Sequence, residues 1–554
     1  MKKKMLIKKA TTWTMVAAMT MSAAMTTACS GNGEKEKEGN ESSERKSVSD
    51  VTFPLEEKLE LDVFVYGTGG GGGFYSNNYV TDWIEEETNV KLNFIYDLDG
   101  DDAKTKLNLI MTDPESIPDI FLATHWTKSE LMSYGSQGLL LPLDDYLAEA
   151  PNWNALNEKC PTRKADITMS DGHIYTYGDS NECFHCMYQN RMWIYKPWVD
   201  ELNGGKMPET TEELYEFMKK VKTEDPNGNG KADEIPFTFR DAWGWGGTIE
   251  NLLGPFGVLE TATHVFTRDG KVTFSAAEQG YYDALTWMNG LYKEGLIDKE
   301  AFTLSGDQYA SRGASGDNLG VVAGYRANEA GVVNEADYRA VPVLKGQDGT
   351  QMVGINNVTK TGGFVISKNC KNPEALVRWY DYINSSLELA LEWGRGEEDV
   401  AWRILEQDGE QIPQFITMDE TILKENGRYQ SKAEYRNAES FSGDTPSLWK
   451  YEYAQKVVND ENCPPDYKLD AVNEQMQYGV MELPSGTSDL ENSERRTILL
   501  ADIDNYLKKF IADSVINGID EGKWEEHQKT LKSLKVEEYT KLCQEFVDSL
   551  ETDK

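Results

Sequence analysis

The pattern of apolar and polar positions divides the chain into a leader, a polar stretch and a long patterned region. Leu59, Leu61, Val63 and Val65 alternate with Glu60, Asp62 and Phe64, which predicts a strand ended by the glycine run at 67–73. A helix is expected over Tyr79–Thr88, and Val90, Leu92 and Phe94 alternate in a second strand. Lys104–Met111 reads as helix and Pro118–Leu122 as a third strand, so strand and helix alternate as in a mostly parallel α/β sheet. Further on, Thr210 and Glu213 form a capping box ahead of Leu214, Phe217, Met218 and Val221 at helical spacing. Asn372-Pro373 opens a helix with Leu376, Trp379, Tyr380 and Ile383 on one face, and Tyr281, Leu285, Met288 and Tyr292 mark another. The stretch from Glu491 to Leu550 is helical in pattern almost throughout.

The leader has the order of a secretory signal peptide: five lysines within Met1–Ala10, then a small, apolar Thr11–Ala28. Its exit, Thr26-Thr27-Ala28-Cys29-Ser30, resembles a bacterial lipobox with threonine in place of the usual leucine. Cys29 is then the lipidation residue; ordinary secretion with a chance cysteine is the other reading. Ser30–Asp50 has no large apolar residue before Val48, too little to offset the entropy of ordering, so it reads as a disordered tether. A formal net charge of −38 repels nucleic acid and anionic lipid head groups.

The sharpest chemical motif is Asp225-Pro226-Asn227-Gly228-Asn229-Gly230-Lys231-Ala232-Asp233-Glu234. Calcium takes six to eight oxygens, and an EF-hand loop supplies them at alternate positions around a glycine turn. Asp225, Asn227, Asn229, the Lys231 carbonyl, Asp233 and Glu234 are the candidate ligands of a structural Ca2+, although Pro236 stands where the closing glutamate of an EF-hand belongs. A polar Asn-Gly turn without metal is the alternative. Cys183 and Cys186 flank His185 and admit a local disulfide, free thiols, a metal or redox chemistry. The glycine run matches G-x-G-x-x-G only formally; a flexible loop at the carboxyl end of a strand is the functional alternative. None of the five histidines forms H-E-x-x-H, and no G-x-S-x-G occurs. Aromatic residues in polar or glycine-rich settings suit the apolar faces of sugar rings. Asp241, Trp243 and Trp245, His125 and Trp126, Tyr177, Arg326, and Trp393 with Arg395 are the candidate ligand contacts, with core packing the competing role for the aromatics.

Several segments resemble extracellular solute-binding proteins of the family 1 type, particularly long lipoprotein members serving oligosaccharide importers. They are Asp82–Val90, Pro118-Asp119-Ile120, Gly138–Asp144 and, most closely, Leu291–Asp298. The calcium loop also occurs in that subgroup, including its alginate-oligosaccharide-binding members. The resemblance implies a two-lobed α/β fold of periplasmic-binding-protein type II, with mostly parallel sheets flanked by helices and a helical C-terminal region. It implies no catalysis, but capture of an oligosaccharide between the lobes for the permease subunits of an ABC transporter. The monomer would be lipid-anchored to the outer face of the cytoplasmic membrane. The expected organisation is a signal peptide at 1–28 and a tether at 29–50. An N-terminal lobe follows from 51–175 plus about 316–370, and a C-terminal lobe from 176–315 plus about 371–554. A lipid-anchored carbohydrate-active enzyme and a binder of a non-sugar solute such as a peptide are the alternatives.

Overall fold

The computed structural model describes residues 47–67, 75, 78–124, 126–159, 161–178, 187–240, 249–314, 316–355, 363–416, 432–441, 456–459, 467–484, 486 and 490–552. Cys29, the leader, the tether and the Cys183–Cys186 pair lie outside the described residues. The first sheet runs Phe364–Ile366, Ile120–Leu122, Leu59–Gly67, Val90–Asp99, parallel except for its first strand. Alternation in Leu59–Gly67 places Leu61, Val63 and Val65 in one core and Phe64 and Tyr66 in another. Both faces of this sheet are therefore covered, as expected of a parallel sheet with crossover helices. Helix Tyr79–Thr88 lies where its pattern predicts it, capped by Asn78, whose side chain accepts from the Thr81 N–H.

The second sheet runs Ile235–Thr238, Leu319–Ala323, Met192–Tyr195, Tyr338–Ala340. Only its first pairing is parallel, so the second lobe is mixed where mostly parallel sheets were expected. Its core takes in Leu214, Phe217, Met218 and Val221 of helix Thr211–Thr223 and Tyr281, Leu285 and Met288 of helix Gln279–Lys293. The C-terminal helices Leu490–Asn517, Glu521–Ser533 and Val536–Thr552 follow the expected pattern and join the same core through Leu499, Ile503, Leu507, Leu531, Tyr539 and Val547.

The lobes exchange chain at other points than the sequence suggested. Strands Leu319–Ala323 and Tyr338–Ala340 pair in the second sheet, although 316–370 was expected in the N-terminal lobe. Helices Pro373–Ile383 and Leu387–Arg395, expected in the C-terminal lobe, bury Leu376, Trp379, Ile383 and Trp393 in the first. The crossing comes later, at Val353–Ile355, which pairs in parallel with Gly479–Met481 of the returning chain. An amphipathic helix goes where its stripe is covered, and nothing local in the sequence names the covering sheet.

Candidate functional site

In open α/β sheets, ligands are met at the carboxyl ends of the parallel strands. In the second lobe these ends are Thr238, leading to Phe239-Arg240, and Ala323, leading to Gly324-Tyr325-Arg326. Gly324 is held from two sides: its N–H donates to the Arg191 carbonyl at 2.9 Å, and its carbonyl accepts from the Trp193 indole at 3.0 Å. The Arg191 side chain, 2 % exposed, sits 4.9 Å from the centre of the Tyr325 ring and donates to the Tyr325 carbonyl at 3.2 Å. One face of that ring is thus backed by a guanidinium. Beside Arg191 are Gln189 and Gln475, both buried. Gln475 donates to the Asn190 carbonyl at 2.9 Å, while the Oε1 atoms of both glutamines are buried acceptors without a hydrogen-bond partner.

The first lobe contributes Arg436. Helix Lys432–Glu439 carries it and packs on helix Leu387–Arg395, with Tyr435 and Ala438 buried against Leu387 and Leu391. The Arg436 side chain is partly open, but its Nε is buried and lacks a hydrogen-bond partner. Burial lowers its pKa, and the neighbouring Tyr325 is the group that acts against this. The site therefore sets a guanidinium of one lobe beside an aromatic face of the other.

Few residues chosen from sequence take part. Arg326 is near, but both its Nε and Nη2 are committed to Glu335, at 2.9 and 2.8 Å. Asp241, Trp243, Trp245 and His125 lie outside the described residues, the first three directly after Arg240 and the last after Thr124. Three expectations need correction because the side chains are spent on the protein interior. Trp126, 3 % exposed, meets Phe121 and Tyr134 edge-on. Tyr177 is fully buried and donates to Asp381 at 3.0 Å. Trp393, also fully buried, stacks on Phe441 with centroids 4.2 Å apart. Arg395 lies 4.6 Å from the centre of the Phe415 ring. Sequence reasoning missed Gln189, Arg191, Tyr325, Arg436 and Gln475. The one signal for them was Gly324-Tyr325-Arg326 directly after the apolar run 319–323, where only the arginine was chosen.

The Asp225–Glu234 loop joins helix Thr211–Thr223 to strand Ile235–Thr238. Left-handed Asp225, Gly228 and Gly230 wind it tightly. Asp225 accepts from the N–H groups of Asn229 and Gly230 at 3.2 and 2.9 Å, and Asn229 Oδ1 from that of Lys231 at 2.8 Å. Asp233 turns to the amides of Asn227 and Asn229, at 3.4 and 3.0 Å, which lowers its pKa. Among the described residues no three His, Cys, Asp or Glu side chains converge, so the three carboxylates of this loop do not gather as a finished cage. One observation fits a cation: Glu234 Oε1 is buried and has no partner. Asn227 also donates to the Asp317 carbonyl at 3.1 Å, tying the loop to the chain entering strand Leu319–Ala323, which leads to Tyr325.

The model of the bacterial extracellular solute-binding protein family matches residues 75–386. The fructooligosaccharide ABC transporter substrate-binding protein FusA of Streptococcus pneumoniae serotype 4 is 28 % identical over 523 residues, covering 91 % of this chain and 93 % of that protein. The structure of S. pneumoniae FusA with kestose has a TM-score of 0.75 at 24 % identity, over 89 % of this chain and 100 % of that one. An EF-hand mutant of FusA with fructo-nystose superposes equally, at the same TM-score, identity and coverage. The fold is thus the two-lobed solute-binding fold, whose members bind and release without chemistry, and this chain belongs to the bacterial extracellular solute-binding protein family.

Proposed function

We propose that the protein captures an oligosaccharide between its two lobes and delivers it to the permease of an ABC-type importer. The observation that carries this reading is the likeness to FusA, which runs through both lobes and the C-terminal helices, over 91 % of the chain. The geometry suits the task. The Tyr325 face offers a stacking surface, and the amide oxygens of Gln189 and Gln475 offer acceptors for sugar hydroxyls. The lobes close about the paired segments Val353–Ile355 and Gly479–Met481, expelling water and ordering the ligand contacts.

Cys29 carries the lipid anchor and Ser30–Asp50 spaces the lobes from the outer face of the cytoplasmic membrane. Ca2+ binds the loop through Asp225, Asn227, Asn229, the Lys231 carbonyl, Asp233 and Glu234. It supplies positive charge to a turn whose side-chain oxygens otherwise have only local N–H groups, and it steadies the strand behind Tyr325. The test is calorimetry of the purified chain against a panel of oligosaccharides and peptides. Saturable binding of an oligosaccharide without product formation supports the reading; binding of peptides alone, or turnover of the sugar, overturns it.

A further inference from the structure

Arg436 is the group that capture of a sugar does not by itself explain. Its Nε is buried without a partner, and among the described residues no carboxylate pairs with it. The neighbouring arginines differ: Arg326 holds Glu335 with two bonds, and Arg191 rests on Tyr325. A partly desolvated guanidinium without a counter-charge is costly, and the cost rises as closing lobes remove the remaining water. A neutral hydroxyl can accept a hydrogen bond from it but cannot cancel its charge. A carboxylate does both, and its two oxygens match the guanidinium fork. The surroundings agree. In a chain of net charge −38, the edge around Tyr325 gathers Arg191, Arg240, Arg326 and Arg436, of which Arg326 is matched by Glu335 and Arg240 by the nearby Glu329.

Resting on the oligosaccharide reading above, we infer that Arg436 receives a carboxylate of the captured sugar, so that the ligand is an acidic, uronate-containing oligosaccharide stacked on Tyr325. In this arrangement the Arg191 guanidinium stiffens the ring from behind, Gln189 and Gln475 accept ring hydroxyls, and Arg436 closes over the charged substituent from the other lobe.

The test is calorimetry of the full chain in detergent with oligouronides of several linkages. Each is paired with its carboxyl-reduced counterpart, which keeps the linkage and loses the charge, and neutral fructooligosaccharides are run alongside. At least one oligouronide should bind, with its reduced form at least tenfold weaker and the difference shrinking as salt is raised. Arg436→Gln should erase that preference, and Tyr325→Ala should weaken acidic and reduced forms alike. Tight binding of neutral sugars with no gain from a carboxylate overturns the inference and leaves oligosaccharide capture standing. A preference that survives Arg436→Gln overturns the assignment to Arg436. Failure of every sugar to bind overturns the capture reading itself. The wild-type comparison of acidic and reduced pairs decides the ligand class even if the variant does not fold.

Discussion

The Asp381 carboxylate accepts five hydrogen bonds in the first lobe, and replacing it with alanine tests how that lobe is pinned. The carboxylate is fully buried on helix Pro373–Ile383. Its Oδ1 accepts from the Trp153 N–H at 2.8 Å and the Tyr177 hydroxyl at 3.0 Å. Its Oδ2 accepts from the Asn152 side chain at 2.8 Å, the Asn152 N–H at 3.3 Å and Arg378 at 2.9 Å. In Asp381→Ala the Trp153 N–H and the Tyr177 hydroxyl stay buried without acceptors, each costing about 1–3 kcal/mol. Arg378 and Asn152 keep some access to water and add less. The expected loss is about 3–5 kcal/mol, within the range for breaking a buried charged pair. Tyr177→Phe removes one bond and leaves Asp381 the others, so about 1–2 kcal/mol is expected. The two changes together should cost less than their sum, because Asp381→Ala already takes the partner from Tyr177. Urea unfolding followed by tryptophan fluorescence measures all three. A loss under about 1 kcal/mol for Asp381→Ala, below the cost of one stranded donor, would refute the reasoning. So would a Tyr177→Phe variant of full stability that no longer binds sugar, which would return Tyr177 to the ligand site.

Chelation should lower the melting temperature, and Glu234→Gln should abolish the difference between chelated and calcium-replete samples. Calcium at a hundredfold its dissociation constant adds about 2.7 kcal/mol, so unchanged melting at millimolar calcium sinks the calcium site. Stability should decline on the alkaline side. Burial opposes charge on His264, but Glu260 and Asp504 hold its pKa up at about 9, and burial with Glu260 nearby raises Glu482 to about 8. Both bind protons more tightly when folded, so their contributions are full below the unfolded values and drain away as pH rises through 8 and 9. Glu482→Gln should blunt that decline; urea midpoints that stay level from pH 7 to about 9 contradict it. His527 acts in the opposite sense: burial lowers it to about 4, so its own contribution falls as pH drops from about 6.5 towards 4, offsetting the gain that Glu482 makes over the same range. Gly254→Ala would set a Cβ 2.0 Å from the Met352 carbonyl oxygen, a backbone clash that should cost at least about 2 kcal/mol. Gly290→Ala, in open space within helix Gln279–Lys293, should instead gain about 0.5–1 kcal/mol. Equal midpoints for the two glycine variants would contradict the packing described.

Elements with a strong period were readable from sequence. The apolar face of Leu376, Trp379 and Ile383 predicts its helix, and every one of those side chains is buried. The pairing partners were not readable. Leu319–Ala323 is a uniformly buried run that fits either sheet, and only the register with Trp193 and Phe237 assigns it. The site was less legible still. Tryptophans near glycines looked like sugar platforms, yet Trp393 lies in the last turn of a helix that Gly396 caps, and its ring fills the core against Phe441. Arg436 sits in a polar stretch with no pattern to mark it. What distinguishes it is a missing counter-charge, and that is a property of tertiary neighbours.

The interleaving of the lobes has a further consequence, for the order of assembly. The core of the first lobe needs Val48 at one end of the described chain and Phe441 towards the other. The core of the second starts at Met192 and is not complete until Val547. At about 5–20 residues per second on the ribosome, neither hydrophobic core can close while most of the chain is still being made. A nascent chain built this way stays threadable until translation is nearly over, which is the state in which a polypeptide passes through a secretion channel. The return of the chain between lobes, costly in contact order, delays folding until nearly the whole chain has been made.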